Sequence, residues 1–349
     1  MIFEQIRTGG CLSYVVGCEE RRAGVIIDPS LDQVDRYLAL AAEKGIVIHY
    51  VVDTHTHADH FSGARELSRR LGVPTVSHRE NVAPYVTLRV DDGELLIVGK
   101  LKLRVLHTPG HTVDSMCLVL PDRVFTGDTL LIGGTGRTDL PTGDAGALYE
   151  SLFDKLLREN NDLLVFPAHD YKGRSSTTIG KEKTDNPRLQ KKERAGFVEL
   201  MHGLDLAMPV HLTEALRTNR SGGQTVAQLI ADAARVTAFM GMDEVRARIV
   251  RGDKRMVLLD VREKDAFDAG HLPGARHVPR GQLEIRIDKE LPDPTTPILV
   301  YCQLGMVSTL AAATLRTMGY AHVVALDGGM QAWVAAAYAV HTSQGVSSK

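Results

Sequence analysis

Cysteine is scarce in this 349-residue chain: Cys11, Cys18, Cys117 and Cys302 are scattered, and none forms a C-x-x-C pair. That excludes a disulfide framework and suits a reducing compartment. Charge of either sign is not in excess, with a formal net charge of −2. A binder that gains its affinity by neutralising nucleic-acid phosphates is therefore excluded. Long apolar runs are missing too, and none approaches the ~18 residues of a membrane span. The first residues, MIFEQIRTGG, carry acid and base within seven positions and lack the apolar core of a signal peptide. Together these absences predict a cytoplasmic protein. No internal repeat or low-complexity segment is present. Hydrophobic residues at 44% and charged ones at 24% fit a soluble chain able to bury a sizeable core. Its length suits two domains.

Histidine is where the chain is rich. The stretch Thr54-His55-Thr56-His57-Ala58-Asp59-His60 follows residues 46–52, a β-branched run that reads as a buried strand. Three imidazoles and a carboxylate at a strand's carboxyl end form a metal site in the making. The plain alternative is a polar turn with solvated histidines, but H-x-H-x-D-H recurs by accident too rarely to favour it.

Up to residue 170 the pattern is of strands with occasional helices. Residues 12–16 and 24–28 read as paired strands. Leu31, Val34, Leu38, Ala41 and Ala42 recur at helical spacing, and 64–71 forms a helix capped near Asp59 or Ser62. Short strands follow at 74–77, 94–98, 101–106, 116–120 and 124–126. Residues 144–159 form an amphipathic helix, and 163–166 another strand. Residues 175–192 are polar, and the turn formers of 218–224 mark a domain boundary. Beyond them strands and helices alternate regularly, which predicts a parallel sheet covered on both faces.

Three strand ends supply partners for the histidine motif: His107-Thr108-Pro109-Gly110-His111-Thr112, Gly127-Asp128-Thr129 and Pro167-Ala168-His169-Asp170. Each offers an imidazole or carboxylate beside a Gly or Pro that turns the backbone. Singly each is an ordinary turn; jointly they build a site on one sheet edge. THTHADH, TPGHT, TGD and PAHD, in this order, resemble the metallo-β-lactamase superfamily. The resemblance implies an αβ/βα sandwich over 1–223. Gly134-Thr135-Gly136-Arg137-Thr138-Asp139 and the stretch from Tyr171-Lys172-Gly173 to Asn186-Pro187-Arg188 are similar to the persulfide dioxygenase branch.

That branch implies one Fe(II) on His55, His111 and Asp128, with His57, Asp59, His60 and His169 as supporting donors. Two imidazoles and a carboxylate leave positions for a thiolate-type substrate and O2. If two zinc ions bind instead, the supporting residues become ligands and the enzyme is a glutathione-thioester hydrolase. Arg137 could hold a glutathione carboxylate through a two-pronged contact. Tyr171 resembles the family's substrate-side tyrosine, and Arg220 is a weaker candidate.

A second site lies at Cys302. Residues 298–301 read as a strand, and Gln303-Leu304-Gly305-Met306-Val307-Ser308 lead into a helix whose backbone N–H groups stabilise an anionic sulfur. A buried core cysteine is the alternative reading, which suits Cys117 better. Asp260, Arg262, Phe267, His271, Cys302 and Trp333, with their neighbours, resemble a rhodanese domain. Such a domain carries sulfane sulfur on the loop cysteine; Asp260, Arg262, His271 and Trp333 read as structural. Val307 stands where the common loop has Arg, which favours a glutathione-type persulfide over a bare anion.

The resulting division is 1–223, a helix-bearing linker at 224–236, a rhodanese domain at 237–340 and a tail at 341–349. Glutathione persulfide, glutathione, O2 and thiosulfate or sulfite are the implied partners, with no nucleic acid and no membrane; a homodimer is compatible with the reading. The non-enzymatic alternative is a persulfide sensor that relays sulfur from Cys302 to a protein.

Overall fold

The computed structural model describes residues 1–209, 212–342 and 345–347. Its contacts divide the chain into two compact units, Met1–Gly223 and Gln224–Lys349. Among the described residues no helix is long and apolar enough to cross a membrane.

The first unit is built on two six-stranded sheets. One runs in chain order through Ile2–Thr8, Cys11–Cys18, Ala23–Ile27, Val47–Val52, Thr75–His78 and Leu88–Val90. The other runs Thr177–Thr178, Leu164–Pro167, Arg123–Gly127, Met116–Val119, Leu101–His107, Leu95–Val98. Alternation along the strands explains the layering. Leu12, Tyr14, Val16, Val25 and Ile27 join Phe125 and Phe166 in the core between the sheets. Val15 and Ile26, one position off, pack instead with Val34, Tyr37 and Leu67 of the helices Val34–Glu43 and Ala64–Leu71. Both faces are covered, so these strands read as nearly continuous apolar runs. Across the molecule, Val124 and Val165 pack under Leu148 of Ala145–Glu150 and Phe197 of Arg194–His202. The architecture is an αβ/βα sandwich.

Several local expectations change. Residues 144–159 are not one regular helix: Ala145–Glu150 passes into a wider π-type turn at Ser151–Lys155 and a tight one at Leu156–Arg158. The wide turn resets the register, so Leu148, Leu152, Leu156 and Leu157 all reach one core. The polar stretch 175–192 holds a helix, Ile179–Asp185, whose Thr178 side chain accepts from the Lys181 N–H. The helix Ala64–Leu71 starts at Gly63, with Ser62 Oγ accepting from the Ala64 N–H. Residues 218–221 continue the helix Leu212–Ser221 instead of forming a turn, and the backbone reverses at Gly222 (φ +68°).

The second unit has a five-stranded, wholly parallel sheet, ordered Ala238–Met240, Val323–Leu326, Ile298–Tyr301, Val257–Asp260, Arg276–His277. Leu259, Val300 and Ala325 line one core; Leu299, Tyr301 and Leu326 line the core on the opposite face. The helix Leu283–Glu290 and the strand Arg276–His277 have no counterpart in the sequence reading. Part of the supposed tail is paired: Val340–Thr342 lies antiparallel to Gly345–Ser347, and His341 bridges to His271. Positions 343, 344, 348 and 349 lie outside the described residues.

Candidate metal centre and sulfur-transfer loop

The strand Val47–Val52 delivers the histidine motif to one edge of the first unit, and three loops meet it there. One donor atom each from His55, His111 and Asp128 lies within 4.8 Å of the others. The hydrogen bonds behind the rings fix which nitrogen is available. Thr54 Oγ1 donates to Asp28 Oδ2 at 2.9 Å, so it accepts from His55 Nδ1 at 3.0 Å. His111 Nδ1 donates to the Arg137 carbonyl at 2.8 Å. Both Nε2 atoms therefore present lone pairs. His55 Nε2 is buried with no hydrogen-bond partner among the described residues. Burial, reinforced by His57, pushes the His55 imidazole down to about 3, which keeps it neutral. Burial opposes the charge of Asp128, yet His169 and then His55 and His111 outweigh it and hold the carboxyl well below its usual range.

The other motif residues separate into two groups. His57 Nε2 is turned to Asp28 Oδ1 at 3.2 Å, with Asp53 beyond at 3.9 Å. That group, Asp28, Asp53 and His57, is fully buried. Burial, helped by Asp28, pushes the Asp53 carboxyl up to about 8. Asp59, His60 and His169 collect elsewhere, around Cys11. His169 spans two groups: Nδ1 donates to Asp128 Oδ1 at 2.6 Å, and Nε2 lies 2.7 Å from Asp59 Oδ2.

Glycines let these loops close. A Cβ on Gly136 would stand 2.2 Å from the Asp128 carbonyl and 2.9 Å from the His111 side chain. Gly110, at φ +139°, lies against the Leu148 backbone, where a Cβ would stand 2.3 Å away. The polar stretch after residue 175 braces the glycine-rich loop. Buried Glu182 accepts from the Gly133 N–H at 2.8 Å, Asn186 donates to the Gly134 carbonyl at 2.9 Å, and Arg188 to that of Thr135 at 2.7 Å.

The three substrate-side candidates stand apart. The Arg137 guanidinium is forked on Asp139, with both contacts at 2.6 Å, and also donates to the Ala207 carbonyl. Tyr171 is exposed, its ring stacked on that of His169 with centroids 6.0 Å apart. Arg220 is exposed and lines a small cavity with Thr56, Ala58, Thr112, Asp114 and Leu140, beside the centre.

Sequence reasoning missed Cys11, Asp28 and Asn219. Asn219 is buried, and its Nδ2 donates to the carbonyls of His57 and His60, both at 2.8 Å. Its Oδ1 accepts from the Ser62 N–H at 3.1 Å. The side chain thus holds the motif loop closed. Asp28 carries a weak signal, an acid ending an apolar strand. Asn219 carries none beyond its place in a turn-like run.

In the second unit Cys302 follows the strand Ile298–Tyr301, and its Sγ accepts from the Ser308 N–H at 3.2 Å. That N–H belongs to the first turn of the helix Met306–Thr317. Gly329 has to be glycine: a Cβ there would meet the Cys302 and Gln303 carbonyls and the Gly305 nitrogen at 2.8 Å. Arg262 is neutralised by Asp260 at 2.7 Å and reaches the loop only through the Gln303 side chain. His271 stacks on Phe267, and buried Trp333 donates to the Ala339 carbonyl. Leu304, Met306 and Val307 are exposed around the thiol.

The metallo-beta-lactamase superfamily model matches residues 6–169, and the rhodanese-like domain model matches 242–336. The human mitochondrial persulfide dioxygenase ETHE1 is 39% identical over 217 residues, covering 61% of this chain and 85% of that protein. The crystal structure of ETHE1 from Myxococcus xanthus superposes with a TM-score of 0.62 at 42% identity, over 64% of this chain and all of that one. A metallo-beta-lactamase structure from Staphylococcus aureus subsp. aureus COL covers 94% of this chain and 98% of its own, with a TM-score of 0.61 at 24% identity. It matches in fold alone.

Proposed function

The chain belongs to the persulfide dioxygenase family of the metallo-β-lactamase superfamily, with a rhodanese-like domain behind, and we propose the reaction each domain performs. Both domains place the protein in sulfur metabolism. The first oxygenates glutathione persulfide with O2 and water to sulfite, glutathione and protons at one Fe(II). The second passes sulfane sulfur between thiosulfate or sulfite and glutathione species through Cys302.

The observation that carries the reading is the division of the histidine motif. One donor atom each of His55, His111 and Asp128 lies within 4.8 Å of the others, whereas His57 turns Nε2 to Asp28 and keeps Nδ1 buried without a hydrogen-bond partner among the described residues. A donor set of two imidazoles and one carboxylate suits Fe(II), which would supply positions where persulfide sulfur and O2 meet. Thr54 and the Arg137 carbonyl hold the two rings in the tautomer a metal needs. His169 steadies Asp128 through its other oxygen. Tyr171 and Arg220 are the exposed groups on hand for the tripeptide. Arg137 can join them only by leaving Asp139.

At the second site the Cys302 sulfur attacks the sulfane sulfur of the donor, whose remainder leaves as sulfite or glutathione thiolate. The acceptor then takes that sulfur from the Cys302 persulfide and regenerates the thiolate. The Ser308 N–H faces this anionic sulfur. With Leu304, Met306 and Val307 around it, no side-chain cation of the loop rewards a bare dianion, so glutathione-type substrates are favoured.

Metal analysis of protein purified without added metal, alongside an oxygen-electrode trace with glutathione persulfide, tests the first reaction. The expected result is about one iron per chain and O2 uptake. Zinc at about two per chain with a flat trace and hydrolysis of S-lactoylglutathione would establish the thioester hydrolase instead.

A further inference from the structure

We propose that the stacked pair His78 and His107 positions the metal centre of the first unit, acting through Val113 on His111 and on the wall of the adjoining cavity. Neither histidine is a candidate ligand. Their rings end strands of opposite sheets, Thr75–His78 and Leu101–His107, at the edge where the metal donors collect. Both are positioning residues for His55, His111 and Asp128, so this role rests on that ligand set, whichever metal it holds.

The two ring centroids lie 3.6 Å apart and the planes are within 8° of parallel. The outer torsion of a histidine side chain has no steep preference of its own, so a flat neighbour sets the plane of the His107 ring. His78 is itself fixed: it is buried, and its Nδ1 accepts from the Glu80 N–H at 3.3 Å. Held in that plane, His107 Nε2 donates to the Val113 carbonyl at 2.9 Å and closes the loop that carries His111. The other side of Val113 is held too, its N–H donating to Thr142 Oγ1 at 3.3 Å. Thr142 adopts φ +70°, a left-handed conformation that strains a β-branched residue and persists only where its surroundings hold it. Next along, buried Asp114 accepts from Thr56 of the histidine motif at 2.7 Å and from Asn81 at 2.8 Å. The pair Val113 and Asp114 is therefore a junction that ties together the histidine motif, the His111 loop and the loop after Arg137. Thr56, Val113, Asp114 and Thr142 also line the cavity beside the centre. A shift of Val113 moves His111, two residues away, and the cavity wall together. Sites of this kind need their donors within about 0.5 Å of the productive position.

The test measures the affinity of the full chain for its metal by chelator competition, together with cobalt(II) d–d absorption and denaturant midpoints. His107→Leu removes the donor and is expected to weaken metal binding about tenfold and to shift the cobalt bands. His107→Gln, whose amide nitrogen replaces Nε2, recovers affinity and bands, which a role in stability alone would not require. His78→Ala frees the His107 ring and weakens binding in the same direction, and the flat ring of His78→Phe restores it. Affinity and bands unchanged in His107→Leu and His78→Ala, or lost equally in His107→Leu and His107→Gln, would overturn this role. If His107→Leu does not fold, the two substitutions of His78 decide it. His55→Ala, which removes a ligand, separates the two claims. Metal kept there overturns the ligand set and this role with it; metal lost there but held in His107→Leu and His78→Ala overturns this role alone.

Discussion

At the scale of single residues, the proposed centre depends on protons placed one bond away from its candidate ligands. Thr54 accepts from His55 only because its own hydrogen is spent on buried Asp28. Thr54→Val keeps the shape and removes that relay. It is expected to weaken iron binding by about 10–100-fold, as losses behind a metal ligand do, measured by competition with a chelator. His57→Ala separates the single-iron and two-metal arrangements. In the first, iron content holds while buried Asp28 keeps Thr54 and loses one of its partners; in the second, metal content falls with the imidazole. A fall in first-centre metal equal to that of His55→Ala would sink the single-iron assignment.

At the scale of elements, the helix Leu212–Ser221 acts on the centre through Asn219, which satisfies three backbone groups of the motif loop. Asn219→Ala leaves those groups unpaired in a buried setting, at about 1–3 kcal/mol for each one that finds no water. Reduced stability in denaturant titration, together with lower metal content, is the expected outcome; an unchanged midpoint would show that the loop closes without the clamp. The contrast with the strands explains what was legible. Val47–Val52 and Ile298–Tyr301 announce themselves by composition, His55 by its histidine-rich motif after a strand, and His111 and Asp128 by sitting beyond strand ends next to Gly. Those are local signals. Asn219, Asp28 and Cys11 matter through partners far along the chain, and each taken locally is a turn former, a strand end or a stray thiol. His57 reads from the sequence as a supporting donor, and only the fold puts Asp28 within reach of its Nε2. The helix expected over 144–159 failed for want of any local sign of the wide turn at Ser151–Lys155.

At the scale of the whole molecule, the two proposed chemistries fall to units with separate cores. Each is expected to work when the other is disabled. Cys302→Ser should abolish sulfur transfer and retain O2 uptake with glutathione persulfide; His55→Ala should do the reverse. Parallel assays of both activities on both variants check this, and loss of both by either substitution would mean that the units depend on each other. The Asn219 clamp has a further consequence, in the order in which the chain is made. The histidine motif emerges from the ribosome early, while the side chain that closes its loop lies 157 residues after Ser62. The loop therefore cannot gain this clamp during synthesis until the first unit is all but complete.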